Sequence, residues 1–586
     1  VNIKTAAVLS EGNLVTATGG FGSGTPWGGG QSTIAIPTDK KIYCEMLCSN
    51  AAGASWFGAV SIPQLSANST GSSNTGQIAA YNRSVMVNGT ETDYGSSAGL
   101  GGLGVASLAS GDILQIAVDG ATGKVWFGRN GTYFKSPSTD NSGTTGDPAA
   151  GTNEIGTVTN TDGEPLFIVV GGGSSTVHVN FGADSSFAGE KTSGSANATD
   201  GEGIGDFYYT PPTGYVALCA SNISDSTIGP GASTQSDDYF NLVVYTGDNT
   251  QGVTGVGFQP DFVWAKTRDH TYNHQLHDSV RGATAGALFS NSTSAETAFQ
   301  FDSFDSDGFT TDSGNITGIN ATGDSQVAWS WKAGGNSNTF NINGTGYATA
   351  SDASLSGGDI TPTGASINTT SGISIIAYTG NGSANQTIKH GLSSDPEFTI
   401  IKCRDTNSNN NQWQLSSSHI GDDYIYFTAT GSTGTAGVFP TSGDATTVTI
   451  GRTGNVAANT NDNTKDFIMY NFHSVDGYCK VGSYTGNSSA DGTFVHCNFR
   501  PAYVLCRRTS STGGWHIFDR LRENPFNVID QRIEADNTDA ENTTTNLDID
   551  LVSNGFKLRG SFDNINAGTC FFIAFAEAPF KFANAR

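Results

Sequence analysis

Three histidines and an aspartate lie close together near the middle of the chain, at His270, His274, His277 and Asp278. Imidazole and carboxylate groups are ligands for zinc or iron, so this cluster is a candidate metal site. Two other segments resemble this one, and they carry Trp413 and Trp515 where His274 stands. A position that accepts both histidine and tryptophan indicates a slot for a large ring. The sequence therefore favours packing and predicts no metal site.

An acidic segment follows, with carboxylates at Asp302, Asp305 and Asp307 ahead of Gly308. Calcium takes about six to eight oxygen ligands, and its loops end in a bidentate carboxylate that is missing at the expected position. Asp307-Gly308 also corresponds to Asn554-Gly555 in a later segment. Because Asp-Gly and Asn-Gly form the same tight hairpin turns, the sequence predicts a turn between two strands.

The sequence contains no strong motif for hydrolysis, nucleophilic catalysis or phosphate binding. A glycan depolymerase would need two carboxylates about 5–10 Å apart in one cleft, with the pKa of one raised, whereas charged residues make up only 14% of this chain. Cysteine and histidine show no recognisable nucleophile spacing, and the glycine-rich stretches lack the strand–loop–helix context of a phosphate loop. We predict that the chain is not an enzyme and binds no cofactor.

Aromatic residues supply the candidate ligand contacts. Three tryptophans could form a sugar-binding platform, but their strands correspond to apolar strands of the related segments, which favours core packing: Trp264, Trp329 and Trp331. Tyr81, Arg83 and Tyr94 lie instead in a polar, Gly/Ser-rich stretch. Rigid aromatic and guanidinium groups bind partners at low entropic cost, so these three are the predicted ligand-binding residues. A purely structural role in capping a loop is the alternative.

Composition predicts an all-β, multi-domain protein. The 586 residues include 77 glycines and many Asn, Ser and Thr, while 33 Phe, 18 Tyr and 8 Trp supply bulky core material. This mixture is typical of short strands joined by turns, and amphipathic helical periodicity is absent. The length indicates about three to five domains.

Charge narrows the possible partners. The chain has 28 Lys and Arg against 53 Asp and Glu, which gives a net charge of −25. Nucleic-acid binding needs clustered basic residues, so it is not expected. No apolar run approaches the roughly 18 residues of a membrane helix, so we predict no membrane insertion. Residues 1–4 lack an initiator Met and a signal-peptide core, so we expect an upstream segment.

The eight cysteines are predicted to be buried free thiols. None forms a CxxC pair, and Cys44 and Cys48 on one face of a strand would lie roughly 13 Å apart, too far for a disulfide. Free thiols favour assembly in a reducing cytoplasm.

The N-terminal third contains a strong hairpin pattern. Residues 111–119 read Gly-Asp-Ile-Leu-Gln-Ile-Ala-Val-Asp, and residues 125–131 read Val-Trp-Phe-Gly-Arg-Asn-Gly. These stretches, with Val-His-Val-Asn-Phe-Gly at 177–182 as a closing strand, resemble SPRY domains over roughly residues 30–205. The resemblance implies a concanavalin-like β-sandwich with ligand-contacting loops at one end, and it does not imply catalysis. A long insertion at 136–163 departs from the SPRY pattern.

Three similar segments follow the first domain. Tyr-Thr-Gly-Asp/Asn occurs at Tyr245, Tyr378 and Tyr484, and each copy continues with a Pro-x-Phe/Tyr strand and ends in an apolar strand. Because solenoid repeats are only about 20–50 residues long, these longer copies indicate tandem domains. We predict a sandwich at 1–205, repeat modules at 206–335, 372–478 and 479–586, and a Gly/Ser/Thr/Asn-rich linker at 336–371.

The Tyr-Thr-Gly opening and the terminal Ala-Phe-Ala-Glu-Ala-Pro-Phe-Lys-Phe at 574–582 resemble repeat domains in virion proteins of marine tailed phages. The resemblance covers about 210–586. It implies a surface appendage of a virion, such as a tail or head fibre, assembled in the host cytoplasm. The implied partners are other virion proteins, further copies of the chain in a homotrimer, and a host-surface glycan or protein.

Three alternatives stay open at this point. A virion decoration protein would bind neighbouring subunits through a large apolar face of the repeats. A secreted bacterial lectin or adhesin would carry a signal peptide and disulfides. A glycan depolymerase would place a carboxylate pair in a cleft.

Overall fold

The computed structural model divides the chain into an N-terminal body, Val1–Ser224, and a C-terminal body, Asp225–Arg586. None of the helices that the structure describes is long and apolar enough to cross a membrane. The described residues are 2–4, 7–10, 15–18, 28–32, 34–50, 55–61, 77–81, 84–87, 90–93, 109–134, 145–158, 165–172, 176–192, 198–229, 232–249, 252–297, 301–311, 318–407, 411–420, 423–428, 434–435, 446–451, 459–522, 527–543, 547–561 and 563–578.

The N-terminal body is a β-sandwich, as predicted. One sheet has the order β1-β4-β14-β6-β7-β8-β9, and the other has the order β12-β11-β10-β5-β15-β3-β2, with β13 beside β11 and β16 beside β5. The strands are β1 (Asn2–Lys4), β2 (Ala7–Ser10), β3 (Val15–Thr18), β4 (Gly28–Gln31), β5 (Lys41–Asn50), β6 (Ser55–Ser61), β7 (Gln77–Tyr81), β8 (Ser84–Val87), β9 (Thr90–Asp93), β10 (Ile113–Asp119), β11 (Lys124–Arg129), β12 (Thr132–Tyr133), β13 (Gly156–Thr157), β14 (Leu166–Gly172), β15 (Thr176–Asn180) and β16 (Val216–Ala217).

The predicted hairpin forms the centre of one sheet. Strand β10 pairs with β11 in antiparallel register, and the Asp119 carboxylate accepts the N–H groups of Ala121 and Thr122 in the turn. Asn130 and Gly131 adopt positive φ values of 51° and 85° in the next turn, as Asn-Gly turns do. Apolar residues from both sheets, such as Phe57 and Ile116, share one core, so the two sheets pack face to face.

The N-terminal body extends past the predicted boundary at residue 205. Strand β16 adds to β5 in parallel, and the buried Glu45 carboxylate on β5 accepts the backbone N–H groups of Tyr208 and Tyr209 at 2.9 and 2.8 Å. The Tyr43 hydroxyl also donates to Glu45. Residues 206–224 therefore belong to the sandwich and not to the first repeat, because a buried carboxylate and an added strand hold them there.

The C-terminal body contains three repeats of one arrangement: the first repeat spans β17–β23, the second β24–β34 and the third β35–β42. Short helical turns occur at Ser236–Asp238, Ser418–Ile420 and Asp563–Asn566, and one in the N-terminal body at Ala220–Asn222. The strands are β17 (Phe240–Thr246), β18 (Gly252–Thr254), β19 (Phe262–Thr267), β20 (Gln275–Asp278), β21 (Phe301–Asp305), β22 (Gly308–Thr311), β23 (Ser325–Trp331), β24 (Phe340–Ile342), β25 (Thr345–Tyr347), β26 (Gly364–Asn368), β27 (Ile373–Thr379), β28 (Gln386–Lys389), β29 (Phe398–Cys403), β30 (Gln414–Ser417), β31 (Asp423–Tyr426), β32 (Gly434–Thr435), β33 (Thr447–Ile450), β34 (Asp466–Phe472), β35 (Cys479–Asn487), β36 (Phe494–His496), β37 (Pro501–Arg508), β38 (His516–Asp519), β39 (Ile533–Glu534), β40 (Ile549–Val552), β41 (Gly555–Leu558) and β42 (Ala567–Ala576).

Each repeat contains an inner sheet with the same strand order: β17-β23-β19-β20, β27-β34-β29-β30 and β35-β42-β37-β38. A smaller outer sheet packs on each of them through a separate core, and these outer sheets are β18-β22-β21, β28-β33 and β36-β41-β40. The predicted turn at Asp307-Gly308 is confirmed, because β21 and β22 form a hairpin with Asp305 opposite Gly308.

The Tyr-Thr-Gly motif has the same structural role in all three repeats. The hydroxyls of Tyr245, Tyr378 and Tyr484 each donate to a backbone carbonyl just before the last inner strand, at 2.6, 2.6 and 2.7 Å. The glycines of the motif lie so close to that same segment that a Cβ atom would meet backbone at about 2.1–2.2 Å: Gly247, Gly380 and Gly486. The motif therefore closes each inner sheet against the returning chain.

The segment predicted to be a Gly/Ser/Thr/Asn-rich linker, 336–371, is folded into the second repeat. Strands β24 and β26 pair with each other, and β26 pairs with β27, so this segment extends the inner sheet of the second repeat. Phe340, Ala365 and Ile367 are buried in the outer core of that repeat. A segment rich in Gly, Ser and Thr folds here because a few apolar residues at alternating positions have a sheet edge to join.

All eight cysteines are free thiols, as predicted, and seven of them are buried.

Candidate functional site: the junction of the three repeats

The three inner sheets share one hydrophobic core, here called the shared core. It includes residues from every repeat, and the aromatic rings of Phe240, Tyr503 and Phe575 contact one another within about 6 Å. Each inner sheet therefore buries both faces, one against its own outer sheet and one against the other two repeats. The apolar, β-branched and aromatic content of these strands is typical of sheets covered on both sides.

An aromatic N–H group joins each repeat to a neighbour at equivalent positions. Trp413 Nε1 of the second repeat donates to Phe289 O of the first at 2.7 Å. Trp515 Nε1 of the third repeat donates to Tyr426 O of the second at 3.1 Å. His274 Nε2 of the first repeat lies 3.0 Å from Glu534 O of the third. The contacts run in a closed cycle, which is the pattern of a three-fold arrangement made within one chain.

His274 takes the place of a tryptophan because of its neighbour. Trp264 Nε1 donates to His274 Nδ1 at 2.9 Å, so the ring carries its proton on Nε2 and donates to Glu534 O, as an indole N–H would. Where the other repeats carry tryptophan, the residue equivalent to Trp264 is Ile400 or Leu505. The first repeat thus pairs the large Trp264 with the smaller His274 ring, whereas each of the other repeats pairs a smaller aliphatic residue with a tryptophan. Burial holds the pKa of His274 well below its usual value.

Two of the three junctions also contain a buried Asp–Arg pair. Asp519 accepts from Arg522 Nε at 2.5 Å and from Trp329 Nε1 of the first repeat at 3.0 Å. Asp278 accepts from Arg281 Nε at 2.6 Å and from the Tyr470 hydroxyl of the second repeat at 2.8 Å. Each carboxylate thus joins its own repeat to the next one.

The third junction replaces all three polar partners with small or apolar residues. The strand registers place Ser417 where the other repeats have aspartate, and Ile573 where they have Trp329 or Tyr470. Ile420 follows Ser417 at the spacing of the arginines and packs against the shared core. Carboxylate, arginine and aromatic donor are lost together, which is expected of groups that stabilise only as a complete set.

A second ion pair lies at each of the two junctions that contain a buried Asp–Arg pair. Arg268 of the first repeat contacts Glu541 of the third at 2.8 Å, and the Glu541 N–H donates to Arg268 O. Arg404 of the second repeat contacts Glu296 of the first at 2.7 Å, and the Glu296 N–H donates to Arg404 O. The same contact is thus made twice, once at each of these junctions.

Every repeat also buries a cation at the same position of its central strand: Lys266, Lys402 and Arg507. Lys402 lies 5.6 Å from the centre of the Trp413 ring, and Arg507 lies 5.5 Å from that of Trp515. Burial lowers the pKa of Lys266 to about 8 and the pKa of Lys402 to about 7. Comparison of the three segments could have identified these buried cations, because Lys266, Lys402 and Arg507 stand at the same place near the end of each aligned apolar strand.

Acidic pH should destabilise the C-terminal body through its buried histidines. Burial lowers the pKa of His496 and His516 to about 3, so the unfolded chain binds more protons than the folded chain between about pH 6.5 and 3. Stability is therefore present above pH 6.5 and falls below it. Each histidine should lower the free energy of unfolding by about 2 kcal/mol at pH 5 relative to pH 7, measured by urea unfolding.

The matched variant is His516→Gln, because Gln275 and Gln414 occupy the equivalent position. His516 Nδ1 lies 3.1 Å from Arg532 Nη1 and 3.7 Å from the Glu534 carboxylate. The variant should lose about 2 kcal/mol of the pH dependence. An unchanged pH dependence would contradict the assignment.

The residues predicted to bind a ligand lie outside the part of the chain that the structure describes. Tyr81 ends strand β7, and its side chain lies outside the described residues, as do Arg83 and Tyr94. Their role stays a prediction.

The four residues of the histidine cluster do not converge. His274 faces the shared core, His277 stacks on Phe301 at 3.9 Å, Asp278 pairs with Arg281, and His270 is exposed beside Asp269 and Asp324.

Asp305, Asp307 and the tryptophans of the first repeat have structural roles, and Asp302 is exposed. Asp305 accepts from the hydroxyls of Ser303 and Thr310, and Asp307 accepts from the backbone N–H groups of Gly255 and Gly257. The three tryptophans that could have formed a platform are at most 2% exposed and belong to the shared core: Trp264, Trp329 and Trp331.

Comparison with known protein families assigns the C-terminal body. A family model described as a domain of unknown function, DUF7483, matches residues 235–579, which is more than half of the chain. The chain belongs to the DUF7483 family. The match includes all three repeats and their shared core, so one DUF7483 domain corresponds to the whole three-repeat unit and not to a single repeat. Comparison with curated proteins gives no match.

Two solved structures are similar to part of the chain. One is a human SPRY domain and the other is the SPRY domain of human HERC1; each is 14% identical, covers 30% of this chain and has a TM-score of 0.20. The similar regions are 96% and 91% of those structures. The sandwich assignment of the N-terminal body rests on its own strand pairing and core.

Proposed function

We propose that this DUF7483 protein is a structural and binding component of a tailed-phage surface appendage, such as a tail or head fibre. The observation that carries the proposal is the shared core, which joins the three repeats into one packed unit. Such a unit suits a part that must hold its shape outside the cell. The sequence resemblance of residues 210–586 to phage virion repeats supports the virion location.

The exposed surface supports a role in contacts that are mainly polar. Among the described residues, only three large apolar side chains are exposed: Val244, Tyr272 and Val528. The repeats use their apolar faces within the chain, so a decoration protein that assembles through a large apolar repeat face is less well supported. Binding to a host glycan or protein would use polar loops, and several copies on one particle would strengthen weak contacts.

A homotrimer stays a prediction. Because the three repeats complete one another inside a single chain, a trimer would have to join through other surfaces. Light scattering in reducing buffer measures the mass directly. A stable trimer would support a free-standing fibre, and a monomer would favour a part that is ordered by its neighbours on the particle.

Gold-labelled antibodies against the purified chain test the virion location. We expect labelling of intact particles of the phage that encodes the chain, at fibres on the tail or head. Labelling spread over the capsid lattice would favour the decoration protein, and purified particles without the chain would contradict the proposal. Release of reducing sugar from host polysaccharide by the purified chain would instead favour a depolymerase.

A further inference from the structure

The first inner strand lies at a sheet edge whose covering differs among the repeats. In the second repeat, β26 pairs antiparallel with β27 and covers this edge. In the first repeat, β17 is the outermost strand of its sheet, and no strand in the described parts of the chain pairs with its free side. The second repeat therefore shows, within the same fold, what this edge can bind.

The strand registers identify the backbone groups that point outward from β17. The Lys332 N–H donates to Tyr239 O, and the Gly247 N–H donates to Asp324 O. Residues of an antiparallel strand alternate between its two neighbours, so Val244 and Thr246 direct their N–H and C=O groups away from β23. The equivalent of Val244 in the second repeat is Ala377, whose carbonyl accepts the N–H of Thr363 beside β26.

The corresponding edge of the third repeat is partly occupied. The Val481 N–H donates to the Ser474 hydroxyl, and Cys479 exchanges two backbone bonds with Val475. Lys480 also places a charge on that strand, which is a common protection of edge strands. Strand β17 contains neither a charge nor a proline, and its Val244 side chain is 38% exposed. The Leu242 N–H, which is equivalent to that of Val481, also has a local partner, the side-chain oxygen of Asn241 at 2.9 Å. The open part of the β17 edge is therefore its C-terminal half, at Val244 and Thr246.

The ends of β17 define the charge of a matching partner. Asp237 and Asp238 precede the strand, Asp248 follows it, and all three are exposed. A second copy paired antiparallel would bring these acidic ends together, which is unfavourable. A segment with basic residues at both ends would instead meet opposite charges.

We propose that the free edge of β17 binds an extended segment of a partner protein, which adds to the inner sheet of the first repeat as an antiparallel strand. The segment is uncharged over about five residues and carries Lys or Arg at both ends. Backbone hydrogen bonds supply the attraction and the flanking charges fix the position, as in other strand-addition complexes. This inference does not depend on the virion location.

The probe is a fluorescein-labelled peptide with the sequence of Gly364–Asn368 between two pairs of lysines, added to the full chain. Fluorescence anisotropy should show saturable binding, at least about 10-fold weaker when the flanks are glutamates. Val244→Pro removes an outward N–H group and leaves the pairing with β23 intact, so it should weaken binding at least about 10-fold. Ser483→Pro, at the equivalent position of β35, is the matched control and should bind normally.

If the proline variants do not fold, Val244→Lys replaces Val244→Pro in the binding test, with Ser483→Lys as its control. The lysine at residue 244 should repel the lysine-flanked peptide and weaken its binding. Equal binding by a folded Val244 variant, or no saturable binding by the unaltered chain, would overturn the proposal. A concentration-dependent dimer that Val244→Pro abolishes would identify the occupant as a second copy and would also overturn it.

Discussion

Replacing Asp519 with alanine should lower the free energy of unfolding of the C-terminal body by about 3–5 kcal/mol, as expected when one partner of a buried ion pair is removed. Asp519 and Arg522 are buried at the junction of the first and third repeats, and the change leaves the Arg522 guanidinium and the Trp329 indole without their shared acceptor. Urea unfolding measures the effect. Asp491→Ala is the control, because Asp491 is an exposed partner of Lys557 and its loss should cost at most about 1 kcal/mol.

The third junction suggests a rescue of the same site. Trp329→Ile, Asp519→Ser and Arg522→Ile together copy the set Ile573, Ser417 and Ile420, which joins the other two repeats without charges. The triple variant should be more stable than a double variant with Trp329→Ile and Asp519→Ala. Both carry the same change at residue 329, and only the double variant keeps the buried Arg522 guanidinium, which then has the Glu541 carboxylate but not the Asp519 carboxylate as a partner. If the triple variant were less stable than this double variant, the polar sets would not be exchangeable units.

Trp413→Ala should lower the free energy of unfolding by about 3–5 kcal/mol, the range for removal of a large buried aromatic ring. Trp413 fills the slot between the first and second repeats, donates to Phe289 O and lies beside Lys402. Trp413→Phe keeps most of the ring and loses the N–H donor, so it should cost less, on the order of 1–3 kcal/mol.

Tyr272→Ala is the control for Trp413, because Tyr272 is an exposed aromatic residue of the first repeat. Its replacement should change stability by about 0.5 kcal/mol or less. A loss below about 1 kcal/mol for Trp413→Ala would contradict the role of this ring in joining the repeats.

Local sequence patterns were enough to predict the fold class and several secondary-structure elements. The all-β class, the hairpin of residues 113–129 and the Asp307-Gly308 turn follow from strand propensity and turn chemistry, which act over a few neighbouring residues. Comparison of the chain with itself also identified the slot shared by His274 and Trp413. It could not show that the slot lies between two repeats.

Three features were decided only by the tertiary structure. Residues 336–371 fold because β27 offers them a sheet edge, and residues 206–224 join the sandwich because Glu45 holds them. The third feature is the closed cycle of junctions, where Asp519 matters because Trp329, far away in sequence, reaches it.

By itself the sequence determined which strands form and which segments are copies of one another, since these depend on local periodicity and internal similarity. The tertiary structure decided which faces meet. Each inner sheet carries apolar residues on both faces, and such a pattern says that both faces are buried without saying against what.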